Sequence, residues 1–275
     1  MTMREETLTL LGYQRAEHEV AERRQSTATK IEVLILVVAL AALLAPNGQY
    51  ALTAALVSLL LVAAWQILNW RSRRSHELAE RARRAVVLDV GLGQPLVGKA
   101  YSDLHAAFTA SAAVAKAFED EDYYGSTHVV GHERLADILE ESAFWSKHLY
   151  KASSIRAWIL LAAFLAAAIS CLVLLAMSPS TEMRVLGANS VCVILAWIVT
   201  GSELNDAIGY SMASSSVDDL EARLASMPAS TENLLIELGD YNAVVQSSPT
   251  IPSAVYRRKK NELQSLWQRR KSDSA

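Results

Sequence analysis

The chain has 275 residues, of which 52% are hydrophobic and 20% charged, with a formal net charge of -3 and a mean hydropathy of +0.18. That hydropathy is too low for a chain lying wholly inside lipid. The net charge says little by itself, because basic residues flank the apolar stretches while acidic ones gather at 119–122 and 203–240. Both cysteines, Cys171 and Cys192, fall inside apolar stretches and read as small apolar side chains rather than as a disulfide or metal pair.

Residues 1–30 read as helix, with high helical propensity and no proline. Glu5, Glu6, Glu17, Glu19 and Glu22 alternate with Leu8, Leu10, Leu11 and Val20. The segment is too long and too acidic for the basic head of a secretory signal. It runs into a first apolar stretch at 31–44, and Pro46, Asn47, Gly48 and Gln49 turn the chain into a second at 51–70. A helix should continue from there to about Asp89, broken by Gly91, Gly93 and Pro95. A second central helix is predicted over 102–118, starting on the Ser102–Asp103 cap signal. An acidic loop with Tyr123 and Tyr124 follows.

The stripe Leu135, Ile138, Leu139, Ser142, Trp145 and Leu149 predicts a helix over 132–150 that joins a third apolar stretch at 157–177. Residues 178–184 form a short connection to the fourth at 185–201. Beyond it, Met212, Val217, Leu220 and Leu224 mark one face of a helix ended by Pro228, and a further helix covers 232–246. Pro249 and Pro252 stiffen a turn before a basic helix over 253–271, with 272–275 expected to be disordered.

A helix needs about 20 mostly apolar residues to cross a bilayer core of about 30 Å. The second and third stretches meet that outright, and the first and fourth reach it with flanking residues. The cores of all four carry no charge, which lipid would penalise by several kcal/mol. Arg71, Arg73, Arg74, Arg81, Arg83 and Arg84 follow the second stretch, and Arg23, Arg24, Lys30, Lys147, Lys151 and Arg156 precede the first and third. The two tips hold only Arg184. This asymmetry puts both termini and the central segment in the cytoplasm. Trp70, Trp158 and Tyr50 sit where interfacial aromatics belong. The expected fold is an all-α membrane protein with two transmembrane hairpins (2+2 spans) and a helical cytoplasmic domain. Its divisions are 1–30, hairpin 31–70, central domain 71–155, hairpin 156–203 and C-terminal helices 204–275.

No phosphate-binding loop, nucleophile elbow or zincin signature is present, so no catalytic residue and no cofactor are expected. His128 and His132 have helical ligand spacing, but Gly131 lies between them and no metal site is assigned. The Arg71–Arg84 cluster reads as a headgroup-facing, topology-fixing patch, and Arg257, Arg258, Lys259 and Lys260 read as a solvated or membrane-proximal face rather than a nucleic-acid site. Asn189, Ser190 and Thr200 are polar positions inside the fourth stretch, and Glu203 lies just beyond it. They are candidates for a pore or bundle interior, beside simple helix–helix hydrogen bonding.

Glu140, Glu141, Ser142, Ala143, Phe144 and Trp145, together with Pro249, Thr250, Ile251, Pro252, Ser253, Ala254, Val255 and Tyr256 and the later Leu263 and Trp267, carry a family resemblance. With the 2+2 layout, the chain resembles the bacterial four-transmembrane effectors associated with SMODS nucleotidyltransferases, and more loosely the SLATT effectors. The resemblance implies anti-phage defence. A partner nucleotidyltransferase or cyclase makes a cyclic nucleotide, and the effector disrupts the inner membrane. It implies no catalytic residues and brings no ligand motif. For such a trigger, stacking and phosphate pairing favour Tyr123, Tyr124, His132 and Arg134 at a loop-to-helix junction, where helix N-terminal amides also favour anions. The expected protein is therefore a multi-pass, homo-oligomeric inner-membrane effector and not an enzyme. The alternative is a non-conducting membrane scaffold or sensor that recruits a soluble partner.

Overall fold

The computed structural model describes residues 3–43, 48–177, 180–200, 202–228 and 230–274. Among them every regular element is a helix: α1 (Glu5–Leu43), α2 (Gly48–Leu92), α3 (Gly98–Ala107), α4 (Ala112–Lys116), α5 (His132–Ala176), α6 (Thr181–Thr200), α7 (Ser202–Ser226), α8 (Thr231–Ser247) and α9 (Ser253–Ser274). Three stretches, Glu5–Ala42, Leu52–Leu92 and His132–Ser170, are long and apolar enough to cross a membrane, and Val185–Trp197 is a shorter apolar helix. Pro46 and Asn47 of the first turn, and Ser178 and Pro179 of the second, lie outside the described residues.

The chain divides into two units. A polar unit comprises Met1–Arg23, Ser72–Ser153 and Gly209–Ala275, and an apolar unit comprises Arg24–Arg71 and Ser154–Ile208. All four borders fall inside helices, namely α1, α2, α5 and α7.

The polar unit is built on apolar stripes at helical spacing. Leu10 and Leu11 of α1, Val86, Val87 and Val90 of α2, Leu135, Ile138 and Leu139 of α5, and Leu234 and Leu238 of α8 form its main core. A second cluster joins Phe144 and Leu149 of α5 to Val255, Leu263 and Trp267 of α9. A third sets Tyr13 and Ala16 of α1 against Ala115 of α4.

In the apolar unit, the apolar window of α2 has none of its residues buried. Leu52, Leu56, Leu59, Leu60 and Ile67 all stand exposed, as do Ile155, Ile159, Ile169 and Val173 of α5. A soluble monomer rarely shows apolar patches of that extent, whereas lipid tolerates such a surface on helices whose backbone groups bond internally.

Several expectations need correction. The helix predicted over 102–118 is two helices, because Glu17 accepts the backbone N–H groups of Thr109 and Ala110 and so holds the chain out of helical geometry there. Thr181–Arg184, expected in the second connection, begins α6, and Gly48 and Gln49 begin α2. Ser272–Ser274 continue α9 rather than fraying. Met212 is 66% exposed and does not share the face of Val217 and Leu220. Glu32, at the edge of the first stretch, is only 4% exposed, so that stretch includes a buried carboxyl side chain.

α1 and α4 approach closely at Gly12, where an added Cβ would lie 2.5 Å from the Ala115 carbonyl oxygen. The obstacle is backbone, so it cannot rotate aside. Gly12→Ala should therefore lower stability by about 1–3 kcal/mol despite its better helix propensity. Melting of the detergent-solubilised variant tests this, and a melt at or above wild type contradicts the close packing.

Candidate functional site

Tyr123 and Tyr124 lie together, with ring centroids 4.9 Å apart in an edge-to-face pair. The Arg15 guanidinium covers the Tyr123 ring at 5.4 Å. It also donates to the Phe118 carbonyl at 2.8 Å. Tyr124 packs on the main core, and burial pushes its phenol well above the usual range. His132 is exposed, while Arg134 donates to the His128 carbonyl at 3.2 Å. Among the described residues no hydrogen bond, ion pair or ring contact joins His132 or Arg134 to either tyrosine. His128 faces Glu133 at 3.4 Å and Asp137 at 3.7 Å on an exposed surface.

Asn189 is exposed and borders a surface hollow with Thr181, Glu182, Val185 and Leu186. Ser190 returns its hydroxyl to the Leu186 carbonyl at 2.9 Å, as helix serines do. Glu203 is half-buried. The Thr200 side chain lies outside the described residues. Arg81 and Arg84 border an apolar groove of about 410 Å³ with Leu78, Leu88, Leu96 and Leu104.

The polar unit also holds a buried polar cluster that sequence patterning did not reveal. His76, Glu80 and Arg83 recur at i, i+4 and i+7 on α2 and so share one helix face. That face meets His18 of α1 and Tyr241, Asn242 and Val245 of α8. Glu80 is 2% exposed at its side chain, and its Oε2 accepts from Arg83 Nε at 2.7 Å. Its Oε1 lies 3.3 Å from His18 Nε2. Arg83 also donates from Nη2 to Asn242 Oδ1 at 2.6 Å and stands over the Tyr241 ring at 4.7 Å. The Tyr241 hydroxyl pairs with Ser146 at 2.7 Å. His76 Nε2 meets the Val245 carbonyl at 3.2 Å.

Burial alone would raise the Glu80 carboxyl, but Arg83 and His18 more than offset it and hold the group below the usual carboxylate range. For Arg83, burial disfavours the charge and Glu80 restores it, so the net shift is upward. Burial, then His18, lowers His76, which keeps that imidazole neutral at pH 7. One ring nitrogen of each histidine and one Glu80 oxygen lie within 4.8 Å of one another. The cluster can stabilise a buried carboxylate, bind a cation or couple two protonation events. Its sequence signal is a polar i, i+4, i+7 set in a helix segment that also buries Leu78, Ala79 and Ala82. His18 joins that face from a distant segment.

No family model, curated protein or solved structure matches this chain.

Two outcomes follow from the cluster. Glu80→Gln leaves the Arg83 charge buried without its partner, which should cost about 3–5 kcal/mol in a chemical or thermal melt. Acid should destabilise the polar unit in two stages. His76 binds its proton less readily folded than unfolded, so its contribution is complete above about pH 6.5 and falls as pH drops below that. Glu80 contributes above about pH 4.5, and that contribution is lost further down as pH falls towards its lowered folded value. Melting at pH 5.5 should therefore lie below melting at pH 7.5, and His76→Gln should shrink the difference. An unchanged wild-type melt across that interval would contradict the assignment.

Proposed function

We propose that this chain is a bacterial inner-membrane effector of anti-phage defence. Two transmembrane hairpins (2+2) anchor it, both termini and the polar unit lie in the cytoplasm, and a cytoplasmic signal switches an oligomer that permeabilises the bilayer. One observation carries this reading. Four helices cross from a packed, charged unit to one with a bare apolar surface, and none is interrupted at the crossing. A change in the polar unit then has a covalent, helical route to the bilayer. The basic residues beside the spans support the orientation.

The defence assignment rests on the resemblance alone. Its two segments meet in the fold. Phe144 packs with Val255, Leu263 and Trp267, and the Trp145 ring lies 6.2 Å from that of Tyr256. They are core-forming residues, so they support kinship of architecture and do not locate a ligand. A cyclic nucleotide remains the proposed trigger, with Tyr123, Tyr124, His132 and Arg134 as its proposed contacts. The exposed position of Asn189 supports a conduit between subunits rather than within one chain. A scaffold reading is favoured by one feature, the solvated basic face of α9 at Arg257, Arg258 and Lys260.

Dye-loaded liposomes holding the purified full chain separate the two. A panel of cyclic di- and trinucleotides is added and release is followed. The effector reading expects release with at least one nucleotide and sealed vesicles without any. Vesicles sealed against the whole panel would overturn it and leave the scaffold.

A further inference from the structure

We infer that His18, His76 and Glu80 form a binding site for a divalent transition-metal ion of the zinc class, with Arg83 and the Val245 carbonyl as its outer partners. The inference is independent of the membrane reading. It stands on the geometry of the three side chains and on one unpaired atom.

The His18 Nε2 to Glu80 Oε1 separation is 3.3 Å. Two ligands bound at about 2.0–2.1 Å in a tetrahedral site lie about 3.3–3.4 Å apart, so the pair already has the spacing of one edge. A nitrogen of His76 completes a triangle whose sides are all within 4.8 Å.

His76 supplies the second observation. The Val245 carbonyl can only accept, so the hydrogen bond at 3.2 Å places the proton of the neutral ring on Nε2. Nδ1 then bears a lone pair. It is buried and has no hydrogen-bond partner among the described residues, on a residue 8% exposed. Buried polar atoms are paired in the great majority of cases, and an orphan calls for an explanation. A ring that donates one N–H to a backbone carbonyl and keeps its other nitrogen buried and bare has the tautomer of a metal-bound histidine. Glu80 follows the same rule. Arg83 Nε holds Oε2 at 2.7 Å, which orients the carboxylate and leaves Oε1 on the His18 side.

The donor set selects the ion. Two imidazoles and one carboxylate suit Zn²⁺, Co²⁺ or Ni²⁺ rather than the all-oxygen preference of Mg²⁺ and Ca²⁺. Three protein ligands leave a fourth position open. With one carboxylate set against the ion and Arg83, that position favours hydroxide or an anion. The His18 side chain is 31% exposed and marks the way in.

The test uses the full chain in detergent, stripped with a chelator and titrated with Co²⁺ and Zn²⁺. The expected result is one ion retained per chain after gel filtration, a visible Co²⁺ band of tetrahedral type and a higher melting temperature with Zn²⁺. Removing an outer partner of a metal ligand typically costs about 10–100-fold in affinity, so losing a ligand itself should cost at least about 100-fold in His18→Gln and His76→Gln. His128→Gln, on the exposed acidic surface, should bind as wild type. If His76→Gln does not fold, His18→Gln carries the test, because its ring is partly exposed and sits at the rim. No retained ion in the wild type would overturn the site. Wild-type affinity in His18→Gln would do the same, as would equal losses in His18→Gln and His128→Gln.

Discussion

The ion pair between Glu80 and Arg83 sets the terms for the polar unit. Two charges removed from water cost several kcal/mol each, and a single contact between them does not recover that. Further partners must come to both. Glu80 needs His18, and Arg83 needs Asn242 and the face of Tyr241. Those partners lie near the N-terminus and in the C-terminal third of the chain. The pair is therefore less a source of net stability than a condition that α1, α2 and α8 satisfy together in one register.

The acidic residues of α1 extend the same logic. Glu17 is fully buried and binds the Thr109 and Ala110 backbone, ending α3 and setting up α4. Glu22 accepts the Ser253 N–H at 2.7 Å, the first residue of α9. Thr7 donates to Asp89 near the end of α2. A helix in whose sequence acids alternate with leucines is tied at three levels to the rest of the unit. α1 also carries the first apolar stretch. Any event that breaks one of these ties acts on a helix that leaves the unit.

The helices, their continuity through α5 and the apolar stretches were legible because each is a local property. Leu135, Ile138 and Leu139 repeat at helical spacing, and no breaker separates them from residues 157–177. The break at Thr109 was not legible, because it is enforced by a glutamate far away in sequence. Glu17 itself gave the same signal as the partly exposed Glu19, since periodicity cannot tell a buried acid with three donors from one that reaches water. The polar cluster escaped notice for that reason. His76, Glu80 and Arg83 sit in a run of charged residues that reads as a headgroup-facing patch. Only the approach of α1 and α8 turns one of its faces inward. Thr181–Arg184 was misplaced for the opposite reason, since a polar first turn looks like a connection.

Under the proposed function, two places in the polar unit compete as the point where a signal would enter, and they differ in leverage. The tyrosine loop precedes α5, and its ligand would act first on that helix. Arg15 already occupies one tyrosine face, so binding there must displace a cation–π contact or use the other face. The histidine cluster bridges α1 and α2 directly. A ligand shifts an equilibrium only by its differential affinity for the two states. An ion held by His18 on one helix and by His76 and Glu80 on the other loses a ligand whenever those helices slide or part. That differential is intrinsic to the site, whereas a ligand on the loop needs a second mechanism to reach the same helices. Under the proposed function, the cluster would be the better-placed control point for the two helices that lead into the first pair of apolar stretches.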